Sequence, residues 1–292
     1  MAQFEEYQRP PEPPSGSTPI KATRFRRAAT LCAVFLVSRV RKRFGSVLFL
    51  TSSMCVKHGD LVNLSEAASM EFVRQHTSVP VPKVYCAFER QGQTYIVMER
   101  IKGEMLAIGW HERSEESKAA ILRQLSSMVK QIRGIGSPHG MAVASVDGGS
   151  LYDERLPGLG VRYPEQTPFR FGPFPDTQAF HRWLRRPTYE SNEHYDPEVN
   201  EMIAMHERKD FGVPVFTHGD LSSLNILVRG EKVVGIVDWE TAGWYPAYWE
   251  YTTASQVNFR NTFWAGYIDR FLEPRPVDLK MERIRLKWFG DT

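Results

Sequence analysis

The sequence predicts an α+β protein, long enough at 292 residues for two lobes and a substantial core. Three observations carry that prediction. Short β-rich runs, paired across turn residues, fill residues 46–98. Helical periodicity dominates from Ser114 onward. Beyond those helices lies a hairpin, Thr217 to Glu240, whose polar residues sit where each strand meets its loop. A hydrophobic share of 42% and a charged share of 24% are those of a globular chain, and a formal net charge of +3 is too small to argue for nucleic acid.

Taken in order, residues 1–20 are rich in Pro, Glu and Ser and are expected to form a disordered leader. Ala28 to Val37 is an apolar run closed off by Arg39, Arg41, Lys42 and Arg43. It is too short to span a bilayer, and its basic exit argues against a secretory signal. A strand or helix in the core of the small lobe is expected instead. Ser46 to Lys57 reads as two strands around a turn at Thr51-Ser52-Ser53. Asn63 to Val73 places Ala67, Met70 and Val73 at helical spacing, with Asn63 or Ser65 as N-cap. Val79-Pro80-Val81-Pro82 breaks that helix, and Val84 to Phe88 with Thr94 to Met98 forms a second hairpin.

Met98 to Glu104, with Gly103, is a strand exit suited to a connection between lobes. Ser114 caps a long amphipathic helix that Gly134 stops; its stripe of Ala120, Ile121, Leu125, Met128, Val129 and Ile132 is core. Gly136 to Pro175 has little periodicity, and loops of that length are often functional, here near a substrate mouth. Asp176 to Leu184 and Pro197 to Arg208 read as two further helices.

The hairpin carries the chemistry. His218-x-Asp220-Leu221-x-x-x-Asn225, with Asp238 ending the next strand, is the catalytic-loop and metal-Asp pattern of kinase-like phosphotransferases. Phosphoryl transfer needs charge neutralisation and an aligned nucleophile more than covalent help. Magnesium takes one or two carboxylate or amide oxygens, which Asp238 and Asn225 offer. Asp220 accepts or orients the hydroxyl proton of the acceptor, and His218 is expected to hold the loop through backbone hydrogen bonds. Lys57, emerging from an apolar strand, is expected to meet the nucleotide phosphates, with Glu66 or Glu71 on the following helix as its partner. Cys32, Cys55 and Cys86 have no metal spacing and read as reduced thiols of an intracellular, cytoplasmic chain.

Five stretches carry a family resemblance: CVKHG from Cys55, the run from Ser65 to Glu104, VDGGSLYDERLPG from Val146, HGDLSSLNILV from His218, and IVDWETAGWYPAYWEY from Ile236. In these the chain resembles the aminoglycoside phosphotransferase-like family, particularly its fungal phosphotransferase-enzyme branch. The resemblance implies a bilobal protein-kinase-like fold: a small five-stranded-sheet lobe over residues 21–101 and a larger helical lobe over 102–292. It implies Asp220 as the catalytic Asp, Asn225 and Asp238 as magnesium ligands, Lys57 on the phosphates and Glu66, in preference to Glu71, as its partner. The strand exit around Glu99 and Ile101 would hold adenine through its backbone. ATP and Mg2+ follow, with a small-molecule hydroxyl as acceptor and neither nucleic acid nor membrane as partner.

The sequence also departs from the family pattern. No Gly-x-Gly-x-x-Gly precedes Lys57; only Phe44-Gly45-Ser46 lies in that region. An active kinase and a pseudoenzyme or nucleotide-binding module with a degenerate phosphate-covering loop are therefore both open, and residues 24–54 separate them. No acidic cluster fit for a polycation is visible, and Glu240, Glu250, Asp269 and Glu273 read as solvated surface. Trp244 to Tyr251 packs the large lobe under the metal loop or walls an aromatic substrate. No Asp-Phe-Gly or Ala-Pro-Glu follows Asp238, which argues against a protein substrate.

Overall fold

The computed structural model describes residues 13–156, 170–186, 188, 190–256 and 261–290. The small lobe is built on an antiparallel sheet in the order β1-β2-β4-β3, with β1 Val47–Phe49, β2 Met54–Gly59, β3 Val84–Arg90 and β4 Gln93–Glu99. Side chains alternate across it. Cys55, Ala87, Ile96 and Met98 join the main core together with Ala67, Met70 and Val73 of α2 (Leu64–His76). Leu48, Val56, Phe88 and Val97 form a separate cluster on the other face. Lys57 shares the strand parity of Cys55 and so belongs to the inner face, toward α2.

The outer face is covered by α1 (Arg24–Val37), which packs Leu31, Val34 and Val37 against that cluster. The expected core element is thus a helix, but only one side of it is in the core: Phe25, Phe35 and Leu36 are exposed. The fifth strand implied by the resemblance is absent among the described residues. β1 is a three-residue edge, and the chain ahead of it turns back locally, Phe44 and Val47 exchanging N–H···O bonds of 2.8 and 2.9 Å. The basic run before that turn offers no alternating apolar pattern to extend the sheet.

The leader is a second correction. Residues 1–12 lie outside the described residues, but Pro13 to Ile20 is ordered against both lobes. Ser150 N–H donates to Pro14 O at 3.0 Å, Ser145 Oγ to Ser15 O at 2.8 Å, and Ile20 pairs with Ala87 at the edge of β3. Composition reads such a Pro-rich segment as unable to build its own core; here its carbonyls find donors on a loop far along the chain.

In the large lobe, β5 (Glu104–Met105), β9 (Ile226–Arg229) and β10 (Lys232–Ile236) form a sheet in the order β10-β9-β5. β8 (Val215–Thr217) pairs with β11 (Gly243–Tyr245), and β6 (Leu151–Tyr152) with β7 (Arg170–Phe171). The helices are α3 (Glu115–Arg133), α4 (Thr177–Leu184), α5 (Pro197–His206), α6 (Trp249–Ala254), a 3-10 turn at Thr262–Arg270, and α7 (Pro276–Phe289). Ser114 caps α3 as expected, its hydroxyl accepting from Ser117 N–H at 3.2 Å. The main core runs without a break from the inner face of the small sheet through α2 into α3 and β8 to β10. Trp244, Tyr245, Tyr248 and Trp249 are all buried, so the aromatic run is packing rather than an open substrate wall. No helix among the described residues is long and apolar enough to cross a membrane.

Candidate active site

The loop between β8 and β9 is held from three sides. His218 Nε2 lies 3.1 Å from the carbonyl of Val237, and its Nδ1 accepts from Asp220 N–H at 3.2 Å, which makes Nε2 the protonated nitrogen. The ring packs edge-on against buried Trp239. From α6, the carboxylate of Glu250 accepts two loop amides, His218 N–H at 2.6 Å and Gly219 N–H at 3.1 Å. Gly219 has φ +83°, and a Cβ there would stand 2.9 Å from the carbonyl oxygen of Thr241. The position therefore requires glycine. His218 is the structural residue the spacing predicted.

This cage presents Asp220 and Asn225 together. Asn225 Nδ2 donates to Asp220 Oδ2 at 2.7 Å and to its carbonyl at 3.0 Å. With the amide nitrogen so engaged, Oδ1 is the atom of Asn225 that remains for a cation. The backbone closes the circle: Val237 N–H donates to Asn225 O at 2.9 Å, which brings the next residue, Asp238, beside the loop. Asp238 has φ +67°, a left-handed conformation that a non-glycine residue adopts at some cost and that clusters at functional sites.

Across the cleft, Lys57 Nζ meets three carboxylates: Asp238 at 2.7 Å, Glu240 at 2.8 Å and Glu66 at 2.9 Å. Burial alone would lower the lysine pKa, but the three carboxylates outweigh it and hold the ammonium well above its usual range. The Glu66 carboxyl, 1% exposed, is pushed up to about 8, chiefly by burial and then by Asp238 and Glu240, against the pull of Lys57. Glu240 is raised by burial and by Asp238. One ammonium faces three carboxyl groups whose oxygens lie within 4.8 Å of one another. An all-oxygen donor set with surplus negative charge fits a hard divalent cation such as Mg2+.

The structure brings Lys57, Glu66 and Asp238 together in one cluster and Asp220 with Asn225 in another, joined through Val237, where the sequence led us to expect Asp220, Asn225 and Asp238 on one spot. Glu71 instead pairs with Lys21 at 3.2 Å, away from Lys57. Glu99 and Ile101 stand at the connection between the lobes, where Glu99 N–H is taken by Lys83 O at 2.9 Å and Ile101 packs over Gly235.

The reading of scattered, solvated acids is overturned for two residues. Glu240 bonds Lys57, and Glu250 is 3% exposed beneath the loop. Sequence reasoning also gave no role to Arg155. It grips buried Asp153 through Nε at 2.8 Å and Nη2 at 2.6 Å, and reaches Asp220 Oδ1 through Nη1 at 3.2 Å. The Asp-x-Arg spacing within Tyr152-Asp153-Glu154-Arg155 was the available signal. Asp153 and Asp220 hold the guanidinium charged. Two clefts, of about 600 and 510 Å³, open elsewhere, one between α3 and the 3-10 turn and one beside the β3–β4 turn.

Comparison with known proteins gives three kinds of match. The model of the phosphotransferase enzyme family matches residues 63–275, well over half of the chain. Two subtelomeric hrmA-associated cluster proteins from two strains of Aspergillus fumigatus are each 28% identical over 121 residues, or 40% of this chain. The match spans only 22% of the length of those curated relatives. Among solved structures, the apo form of a thermostable mutant of aminoglycoside phosphotransferase APH(4)-Ia aligns with a TM-score of 0.52 at 16% identity, covering 87% of each chain. A further mutant of that enzyme, in ternary complex with ADP and hygromycin B, aligns at 0.54 and 16% identity, over 87% of this chain and 88% of the other. At that identity these structures establish the fold.

Proposed function

The chain belongs to the phosphotransferase enzyme family, and we propose that it is a cytoplasmic, ATP-dependent kinase that moves the γ-phosphoryl group to a hydroxyl of a small molecule. The observation that carries this reading is the joined pair of clusters: a proton acceptor, Asp220, beside Asn225, linked through one peptide to an Asp238–Lys57–Glu66 ion cluster. That is the division of labour phosphoryl transfer requires, with one group for the nucleophile and another for the phosphates.

In this reading Asp220 accepts or orients the acceptor hydroxyl proton, and Arg155 and Asn225 fix its two oxygens. Asn225 Oδ1 and the Asp238 carboxylate would hold Mg2+, and Glu240 adds negative charge to that cluster. Lys57, positioned by Glu66, exchanges Asp238 and Glu240 for phosphate oxygens when nucleotide enters. The Glu99 carbonyl and the Ile101 amide face the adenine. Magnesium, when bound, would neutralise phosphate charge as it develops in transfer. The ADP and hygromycin B complex of the APH(4)-Ia mutant supports a nucleotide and a hydroxylated small molecule as ligands. A guanidinium 3.2 Å from Asp220 disfavours a polycationic acceptor. Three free cysteines agree with a reducing compartment.

The test is ADP release on incubation with ATP, Mg2+ and a panel of hydroxylated small molecules. An acceptor that stimulates release should lose roughly 10²–10⁴-fold of that stimulation in Asp220→Asn. Stimulation untouched by Asp220→Asn would overturn the assignment. One observation favours the second reading, a nucleotide-binding pseudoenzyme: β1 is the edge of the small sheet, and no hairpin stands over the phosphate side among the described residues. Nucleotide binding with no release against any acceptor would decide for it.

A further inference from the structure

We propose that α1 and the basic segment behind it form a docking surface for an anionic lipid membrane. Leu31, Val34 and Val37 make the stripe that packs on the small-lobe sheet. Phe25, Ala28, Ala29, Cys32, Phe35 and Leu36 recur at the same helical spacing and make a second apolar stripe on the opposite side. A helix apolar on both sides is ordinarily buried on both, but here Phe25 is 81%, Phe35 56% and Leu36 55% exposed. The chain beyond the helix extends the patch with Val40 at 81% and Phe44 at 66% exposure.

Charge selects the occupant. Lys21, Arg24, Arg26, Arg27, Arg39, Arg41, Lys42 and Arg43 all fall between residues 21 and 43, and that stretch holds no acidic residue. The net charge of the whole chain is only +3, so the rest of the molecule is net negative and the positive charge is concentrated here. Lys21 is paired with Glu71 and Arg27 lies half-buried over Phe88, but Arg24, Arg26, Arg39, Arg41, Lys42 and Arg43 are exposed. Apolar side chains flanked by exposed cations are what a surface of anionic headgroups over acyl chains complements. A second copy of this chain does not fit. A two-fold contact through this face would oppose its cations to themselves. Nucleic acid would match the charge and leave the phenylalanines and Leu36 without a partner.

The helix lies in the surface plane and does not cross it, in keeping with its 14 residues. The sequence-based expectation of no membrane partner rested on the lack of a spanning segment, and a surface helix is outside its reach. α1 sits on the outer face of the sheet and Lys57 on the inner, so docking leaves the cleft open while fixing its orientation to the bilayer.

The experiment is vesicle co-sedimentation of the full chain. Phosphatidylcholine vesicles with about 30 mol% phosphatidylserine should bind roughly tenfold or more better than pure phosphatidylcholine, and the difference should fade as salt shortens the reach of the charges. Phe35→Ser with Leu36→Ser, and separately Arg39→Glu with Lys42→Glu, should each reduce binding to the phosphatidylcholine level while keeping the wild-type thermal midpoint, since all four side chains are exposed. Four results would overturn the proposal: no binding to the anionic vesicles at low salt, equal binding to both vesicle types, binding to a short DNA duplex that competes fully with vesicles and ignores the Phe35→Ser and Leu36→Ser pair, or a dimer by light scattering that the same pair dissolves.

Discussion

Replacing Glu250 with alanine should unfasten the catalytic loop from the helix beneath it. The carboxylate is 3% exposed and accepts the amides of His218 and Gly219 at 2.6 and 3.1 Å. Alanine leaves both amides buried without an acceptor, at about 1–3 kcal/mol each. The total is roughly 2–5 kcal/mol once partial relaxation is allowed for. In a chain of this length that corresponds to a fall of about 4–10 °C in thermal midpoint. Glu250→Gln should cost less, because it keeps one acceptor, yet it turns an NH₂ toward an N–H and so cannot be neutral. Urea unfolding measures the effect, with an unchanged slope showing that the same surface is exposed. A Glu250→Ala protein within about 1 kcal/mol of wild type would refute the claim that this carboxylate holds the loop.

Gly219→Ala asks the same loop for a Cβ at φ +83°, 2.9 Å from a backbone oxygen; a loss of about 2–4 kcal/mol in urea is expected, and a loss below 0.5 would contradict the geometry. Two buried groups pull the pH dependence in opposite directions. His181, bonded to Tyr248 OH and His206 O, is lowered to about 3, chiefly by burial. Its folded pKa is below the ordinary 6.5, so stability is lost as pH falls under 6.5, by about 1.4 kcal/mol per unit. Glu66, raised to about 8 from 4.5, contributes stability that is full below 4.5 and lost as pH rises toward 8. Thermal midpoints from pH 4.5 to 8 for wild type, His181→Gln and Glu66→Gln should show slopes changed in opposite senses, and three parallel curves would contradict both assignments.

What the sequence made legible follows from distance along the chain. Asp220, Asn225 and Asp238 lie within one hairpin, where strand length and turn fix their separation, so spacing alone put Asp220 against Asn225 and Asp238 one peptide beyond the Val237–Asn225 bond. Lys57 with a glutamate of the next helix was readable because that helix follows the strand directly, but the choice of Glu66 over Glu71 came from the family resemblance. Glu240 and Glu250 were misread because an acidic residue in a polar-aromatic run looks solvated until its partner is known. Those partners are Lys57, 183 residues away, and the loop amides 31–32 residues away. Arg155 reaches Asp220 across 65 positions, beyond any local pattern. Residues 13–20 of the leader were misread for the same reason, since Pro13 and Pro14 are held by Ser150. The lack of a fifth strand among the described residues was foreshadowed by the absent glycine motif, but the packing of a helix on the far face depended on which side of the sheet lay bare.

The proposed magnesium-dependent nucleotide site is built from Lys57, Glu66, Asn225 and Asp238. A thermal-shift titration of ATP and ADP, with and without Mg2+, tests it on wild type and Asp238→Ala. A ligand that binds only the folded state raises stability by about 2.7 kcal/mol at a hundred times its Kd. The account predicts that ATP with Mg2+ raises the wild-type midpoint and that Asp238→Ala, equally folded, shows no such rise. A folded wild type with no shift at saturating ATP and Mg2+, or a shift that survives Asp238→Ala undiminished, would contradict it.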